Sequence, residues 1–451
     1  MTAARRASLT TADLALAGLL VALKLGIDVW VLRTGFTHVS DDDYARTVIA
    51  QQFAYSPRLD PSGTSWLPLP FWIAGAWMQA FGRSLSAARA VAILVGALGV
   101  APPFAAMRAA GVPRAAAAGA TAIAMALPWS AWLGVATVPD GWTGALVAAG
   151  AIAMIDDRAR PWAAVSLLVA SLSRYEAWPV CAVFAVFCAT RVIRVASERR
   201  EGAPGPEASG RREVACAMVA LLGPALWMAW NAHAHGSALH FIARVTAFRR
   251  AIGAADVPWI DKLLGYPRSL VLETPEAAAL GVCGAVALLL RDEVLRRWRW
   301  AAASALAVLA FLIAGDLGDG APTHHPARAL GPVWWICAGM GIDSLRAALG
   351  TMRLSRRTRT LAAAAIPAGL WALSLPSRWS AAPGLGDLER RETQIARGLE
   401  LRAQGTPVAD VTPCQFEHFA LIAAWGEPER ARVHPRTQAP LTADCPLVTT
   451  P

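Results

Sequence analysis

Ser40-Asp41-Asp42-Asp43-Tyr44 follows directly on the first long apolar run of the chain, and its reading decides the rest. Three successive carboxylates, with an aromatic ring and Arg46 beside them, form the densest charge cluster in an otherwise apolar sequence. The run before them extends from about Leu14 to Leu32, carries Lys24 and Asp28, and is preceded by Arg5 and Arg6. It is longer than the apolar core of a secretory signal and lacks a small-x-small cleavage site. It therefore reads as a retained first span with its amino end in the cytoplasm, which puts the aspartates outside.

The composition agrees. The chain has 451 residues, of which 55% are hydrophobic and 16% charged, and its mean hydropathy is +0.41. Those values belong to a polytopic all-α membrane protein. The net charge of +10 does not indicate a nucleic-acid partner, because the arginines sit in short blocks between apolar runs, where they set membrane orientation. Apart from Lys24 and Lys262 every basic residue is Arg, a composition bias without functional content. Five of the seven cysteines, Cys181, Cys188, Cys216, Cys283 and Cys337, lie in or beside apolar runs and read as small hydrophobes.

In order along the chain, Ser40 can cap a short helix along the membrane surface, with Asp43 three residues on and Val48, Ile49 and Phe53 on its apolar side. Trp66-Leu67-Pro68-Leu69-Pro70-Phe71-Trp72 leads back to the bilayer by a kinked path. Apolar stretches follow at Ala88 to Ala106, Ala115 to Leu133, Gly141 to Ile155 and Trp162 to Thr190, the last interrupted by Ser173-Arg174-Tyr175-Glu176. If Trp66 to Phe81 crosses, Trp162 to Thr190 is one span; if it only dips in, that stretch is a hairpin, which Arg108 and Arg114 favour. Residues 191–213 read as a disordered cytoplasmic linker. Beyond it, spans at Val214 to Trp230, Ala277 to Leu290, Trp300 to Ala314, Ala329 to Ile342 and Leu361 to Leu375 alternate cleanly, with a long external segment from His233 to Glu276. Residues 1–376 thus form a transmembrane domain, with 33–66 as its external loop, and 377–451 an extracytoplasmic region. That compartment permits a disulfide, expected between Cys414 and Cys445.

Ionisable groups near a bilayer are costly unless they serve a site. Four sets stand out: Asp41, Asp42 and Asp43 with Tyr44; Asp140; Arg174 with Glu176; and His324 and His325 with Arg328. Each alone has a structural explanation as a cap, a local ion pair or a span end, but all four reach the same external side. Crowded carboxylates suit a general base, a hydrogen bond to an acceptor, or a divalent cation, Mg or Mn, for which Asp41, Asp42 and Asp140 are candidate ligands. Arginines suit phosphate. Outside the cytoplasm, the fitting donor is a sugar on a membrane-lipid phosphate.

At these residues the chain resembles the GT-C membrane glycosyltransferases, relatives of which include protein O-mannosyltransferases and the aminoarabinose transferases of lipid A. The match comprises Asp41-Asp42-Asp43-Tyr44 after the first span, Leu67-Pro68-Leu69-Pro70-Phe71-Trp72, Phe81-Gly82, Ala88-Arg89, Pro139-Asp140, Ser173-Arg174-Tyr175-Glu176 and Arg328. The resemblance implies a bundle of about ten to twelve transmembrane helices. It implies an inverting transferase of the cell (inner) membrane, working on its extracytoplasmic face. A polyprenyl-phosphate sugar would be the donor and a lipid, glycan or protein hydroxyl the acceptor. Carried over by position, the catalytic carboxylate falls on Asp41 and its companion on Asp42, although three aspartates in a row leave that register open by one residue. Asp43, Tyr44, Asp140, Arg174, Glu176, His324, His325 and Arg328 become substrate-binding candidates. The family's His-Pro-Pro or Lys-Pro-Pro is replaced by Leu67-Pro68-Leu69-Pro70, which offers the donor phosphate no cation. The rival reading from another class is a transporter or lipid flippase, which predicts repeats and broken spans paired between halves; no such symmetry is seen in the sequence.

Overall fold

The computed structural model describes residues 9–200, 207–251, 257–320, 325–350, 391–412, 416–433 and 448–449, with isolated positions between 351 and 390. The described residues are mostly helical. Helix α1 (Thr11–Arg33) opens with a capping box between Thr10 and Asp13. The Asp13 carboxylate also accepts from Arg108 at 2.9 Å and Arg114 at 2.8 Å, which ties its start to the turn between α5 (Ala101–Ala109) and α6 (Arg114–Ala126). Inside the bundle, Lys24 pairs with Asp28 at 2.9 Å and donates to the Ser130 carbonyl at 3.0 Å. Ser130 belongs to α7 (Pro128–Val135), which leaves α6 at a 70° bend where Pro128 breaks the ladder. A Cβ on Gly134 would lie 2.2 Å from Lys24 Nζ, so only glycine admits that buried pair.

Helix α8 (Asp140–Ala153) is buried on nearly every side and forms the centre of the bundle. Helix α9 (Arg160–Ser171) returns beside it, and α10 (Trp178–Arg200) follows after a break at Leu172 to Arg174. Asp157, just before α9, meets Arg191 late in α10 at 3.4 Å, so the Trp162 to Thr190 stretch is a hairpin. The expected disordered linker is instead helical to Arg200 and again from Glu207, where α11 (Glu207–His235) begins. An Arg194 to Glu198 pair supports the first of these ends, and Glu213 is buried in contact with Arg160. The expected external segment after His233 holds two helices, α12 (His240–Ala251) and α13 (Trp259–Glu273), the second bent by 103° into α14 (Pro275–Leu290) at Thr274-Pro275. Helices α15 (Asp292–Leu317) and α16 (Gly331–Leu349) follow in the bundle.

Among the described residues five helices are long and apolar enough to cross a membrane, and up to seven if each of two bent pairs is one span. The shorter helices α8 and α9 pack among them. The chain is a multi-pass membrane protein. The Leu361 to Leu375 span, the boundary at 376, His324 and the Cys414 to Cys445 bond lie outside the described residues.

Helix α2 (Asp42–Tyr55) is held between α3 (Leu69–Phe81) and the C-terminal unit. Phe53 presses on Gly75 of α3, while Tyr44 and Val48 pack on Ala420 and Ala423 of α18 (His418–Trp425). The C-terminal unit adds α17 (Glu392–Ala403) and a three-stranded sheet in the order β2-β1-β3, with β1 (Ala409–Val411) parallel to β2 (Ala431–Val433) and antiparallel to β3 (Val448–Thr449). Its core of Leu401, Val411, Leu421, Ile422 and Trp425 closes over Val48.

Candidate active site

Asp140 and Arg328 meet because their helices cross without side chains between them. A Cβ on Gly144 would stand 2.9 Å from the Gly331 backbone, so α8 and α16 approach closely just inside the residues that begin them. Arg328, in the short 3-10 turn Pro326–Leu330 ahead of α16, reaches Asp140 Oδ1 at 3.4 Å, Asp42 Oδ2 at 3.3 Å and Ser40 Oγ at 3.1 Å. Arg174, at the break between α9 and α10, reaches Asp140 Oδ1 at 3.3 Å and grips Glu176 through two bonds of 3.1 and 2.5 Å. Five expected site residues from four distant segments therefore form one network. Burial alone would push the Asp140 carboxyl up, but the guanidiniums of Arg174, Arg328 and Arg46 prevail and hold it below the ordinary carboxylate value.

The three aspartates divide their work. Asp43 is fully buried and spent on the backbone: its carboxylate accepts from the amides of Val39 at 3.1 Å, Ser40 at 3.3 Å and Thr137 at 2.7 Å. The expected capping box is thus half present, with Asp43 reaching back to Ser40 N while Ser40 Oγ turns to Arg328. Asp42 faces the arginine cluster and is 37% exposed. Asp41 faces away from it, towards the C-terminal unit, where Arg391 holds it through two bonds of 3.1 and 3.0 Å and also binds Glu417 at 2.9 Å. Tyr44 is buried as a support, its hydroxyl 3.3 Å from His38 Nδ1. His325 lies beside Trp129, ring centroids 5.3 Å apart, and its carbonyl accepts from Arg328 N.

No group of three or more His, Cys, Asp or Glu side chains able to hold a metal occurs among the described residues. Of the three candidate ligands, Asp42 and Asp140 both pair with Arg328, and Asp41 pairs with Arg391.

Sequence reading assigned no role to Arg391, Glu417, His38 or Thr137. Arg391 is remote in sequence from Asp41 and carries no local signal. Arg46 was visible, four residues after Asp42 on one helix face, without an assigned part.

A carboxylate-bearing loop after the first span is set here against arginines from later span ends in an all-α bundle. Among solved structures the chain is similar to ArnT from Cupriavidus metallidurans in the apo state, with a TM-score of 0.50 and 15% identity over 93% of this chain and 76% of that one. It is also similar to the same ArnT bound to undecaprenyl phosphate, with a TM-score of 0.46 and 15% identity over 92% and 74%. The likeness is one of fold. No family model and no curated protein matches the sequence.

Proposed function

We propose that this chain is an inverting glycosyltransferase that moves a sugar from a polyprenyl-phosphate carrier to an acceptor hydroxyl at the extracytoplasmic leaflet. The observation that carries the reading is the Asp42, Arg328, Asp140, Arg174 and Glu176 network gathered at one end of a membrane bundle. Arg174 and Arg328 offer planar forks to the donor phosphate, and Glu176 fixes the first of them. The phosphate competes with the partly exposed Asp42 for Arg328.

Inversion requires the acceptor to attack the anomeric carbon from the side opposite the leaving phosphate. Asp42 stands on the arginine side. Asp41, one residue earlier and turned towards the C-terminal unit, stands on the other, so Asp41 is assigned as base and Arg391 as the residue that positions it. The bond from acceptor oxygen to the anomeric carbon forms as the bond from that carbon to the phosphate oxygen breaks. The hydroxyl proton passes to Asp41, and the phosphate leaves without needing one. Positioning and charge neutralisation supply the rest.

The test is Asp41→Asn in membranes given a lipid-carrier extract, with mass spectrometry of carriers and surface glycans from a deletion strain to identify the sugar. Transfer should fall about 10²- to 10⁴-fold, the span of a general base, while the melting temperature in detergent stays near that of Arg391→Ala. Full activity in Asp41→Asn overturns the assignment, and an unchanged carrier and glycan profile in the deletion strain overturns the function.

A further inference from the structure

We infer that Arg46 is a third ligand for the donor phosphate and stands in for the cation that Leu67-Pro68-Leu69-Pro70 lacks; the inference rests on the lipid-phosphate donor proposed above. Arg46 is 5% exposed, yet among the described residues it forms no ion pair and no hydrogen bond, and its Nε is buried without a partner. Asp42, Asp140 and Glu176 equal the three local guanidiniums in number, but every one of them forms its ion pairs with Arg174 or Arg328 and none with Arg46. A buried cation left in this condition destabilises the free protein unless a ligand completes it.

Its surroundings state what that ligand is. The guanidinium lies over the Trp66 ring at 4.5 Å and near the Phe71 ring at 5.7 Å, which orients its fork without neutralising it. Burial, with the like charges of Arg174 and Arg328 against the pull of Asp42 and Asp140, brings Arg46 down to about 10, still fully charged at neutral pH. It lines a mostly apolar cavity between α2, α3, α4 (Leu85–Leu98) and the start of α8, whose walls include Pro70, Ile73, Val91, Val95 and Trp142. A cation in the wall of a mostly apolar cavity beside the site fits an anionic group joined to hydrocarbon. For a polyprenyl phosphate, the phosphate would meet Arg46 together with the Arg174 and Arg328 cluster, and the first isoprene units would follow the walls. Phe71 and Pro70 of the departed motif are thus kept as wall, while the charge comes from α2.

Full-length protein in detergent is titrated with farnesyl phosphate, farnesol, inorganic phosphate and a short-chain phosphatidate, using quenching of tryptophan fluorescence. The wild type should prefer farnesyl phosphate to farnesol and to phosphatidate by at least about tenfold, roughly one well-made charged contact. Arg46→Met should lose most of that preference, Arg46→Lys should recover part of it, and the ligand-free melting temperature of Arg46→Met should equal or exceed wild type. Arg46→Gln serves the same purpose should the Met variant not fold. A merely structural Arg46 would instead lower the melting temperature and weaken farnesol and farnesyl phosphate alike, which overturns the inference. An unchanged preference in Arg46→Met overturns it while leaving the donor reading intact. A wild type that does not distinguish farnesyl phosphate from farnesol overturns both, and equal binding of phosphatidate overturns the polyprenyl assignment.

Discussion

Asp41, Asp42 and Asp43 have the same chemistry and three different fates, because successive residues entering a helix point about 100° apart. One carboxylate is turned to Arg391, one to Arg328, and one into the backbone of the loop that carries them. The sequence identifies the block and its side of the bundle, but its partition depends on partners remote in sequence, and nothing local encodes those. His38 belongs to the same loop and supplies a test. Burial pushes its imidazole below the ordinary 6.5, against the pull of Asp43 and Asp41. The unfolded chain takes up a proton as pH falls through about 6.5 while the folded loop does not, so stability is present above that pH and lost below it. The loss is about 1.4 kcal/mol per pH unit until the folded group titrates. His38→Gln is expected to flatten the fall in melting temperature between pH 7.5 and 5.5; an unchanged slope would show that another group carries it.

Hydropathy located most of the elements, since a run of apolar residues between charged blocks has few alternatives in a bilayer. It could not name the protein partners of α2, because Val48, Ile49 and Phe53 look the same whether lipid, α3 or another part of the chain covers them. It also missed the helical continuation beyond Arg191, where polar residues at i and i+4 sustain a helix that composition alone reads as loose. The crossing of α8 and α16 was likewise silent, because Gly144 and Gly331 are unremarkable until their helices are known to meet. Gly144→Leu places a side chain where the Gly331 backbone lies 2.9 Å from the Cβ position. Such overpacking costs about 1–3 kcal/mol, and it forces apart the helices that hold Asp140 and Arg328. Farnesyl phosphate binding is therefore expected to drop about tenfold or more, a larger fraction than the stability lost, as read by titration alongside thermal unfolding. Gly144→Ala, with one methyl group, should fall between; binding at wild-type strength in Gly144→Leu would show that the crossing does not set the site.

At the scale of the molecule the site is shared between two bodies of chain. Arg46, Arg174 and Arg328 all precede the C-terminal unit, while the partner of Asp41, Arg391, belongs to it. That unit is fastened beside α2 by Arg83 to Glu429 at 2.7 Å, by Gln51 donating to the Ala423 carbonyl at 2.8 Å, and by Tyr44 and Val48 packing on α18. Donor and acceptor functions should consequently separate in a full-length variant. Arg391→Ala removes the bidentate hold on Asp41 and the link to Glu417 but leaves those other fastenings in place. Farnesyl phosphate binding is expected to stay within about twofold of wild type, because no guanidinium on the donor side has changed. Transfer to the acceptor should fall by about tenfold or more, because a base out of register forfeits the advantage of orientation. Cleavage of the C-terminal unit by a protease should accelerate only modestly, since the Arg83 and Gln51 contacts and the apolar interface with α2 still hold the unit. If Arg391→Ala instead weakened phosphate binding as much as transfer, the two halves of the site would be one cooperative structure, and the division of labour between Asp41 and Asp42 would have to be drawn again.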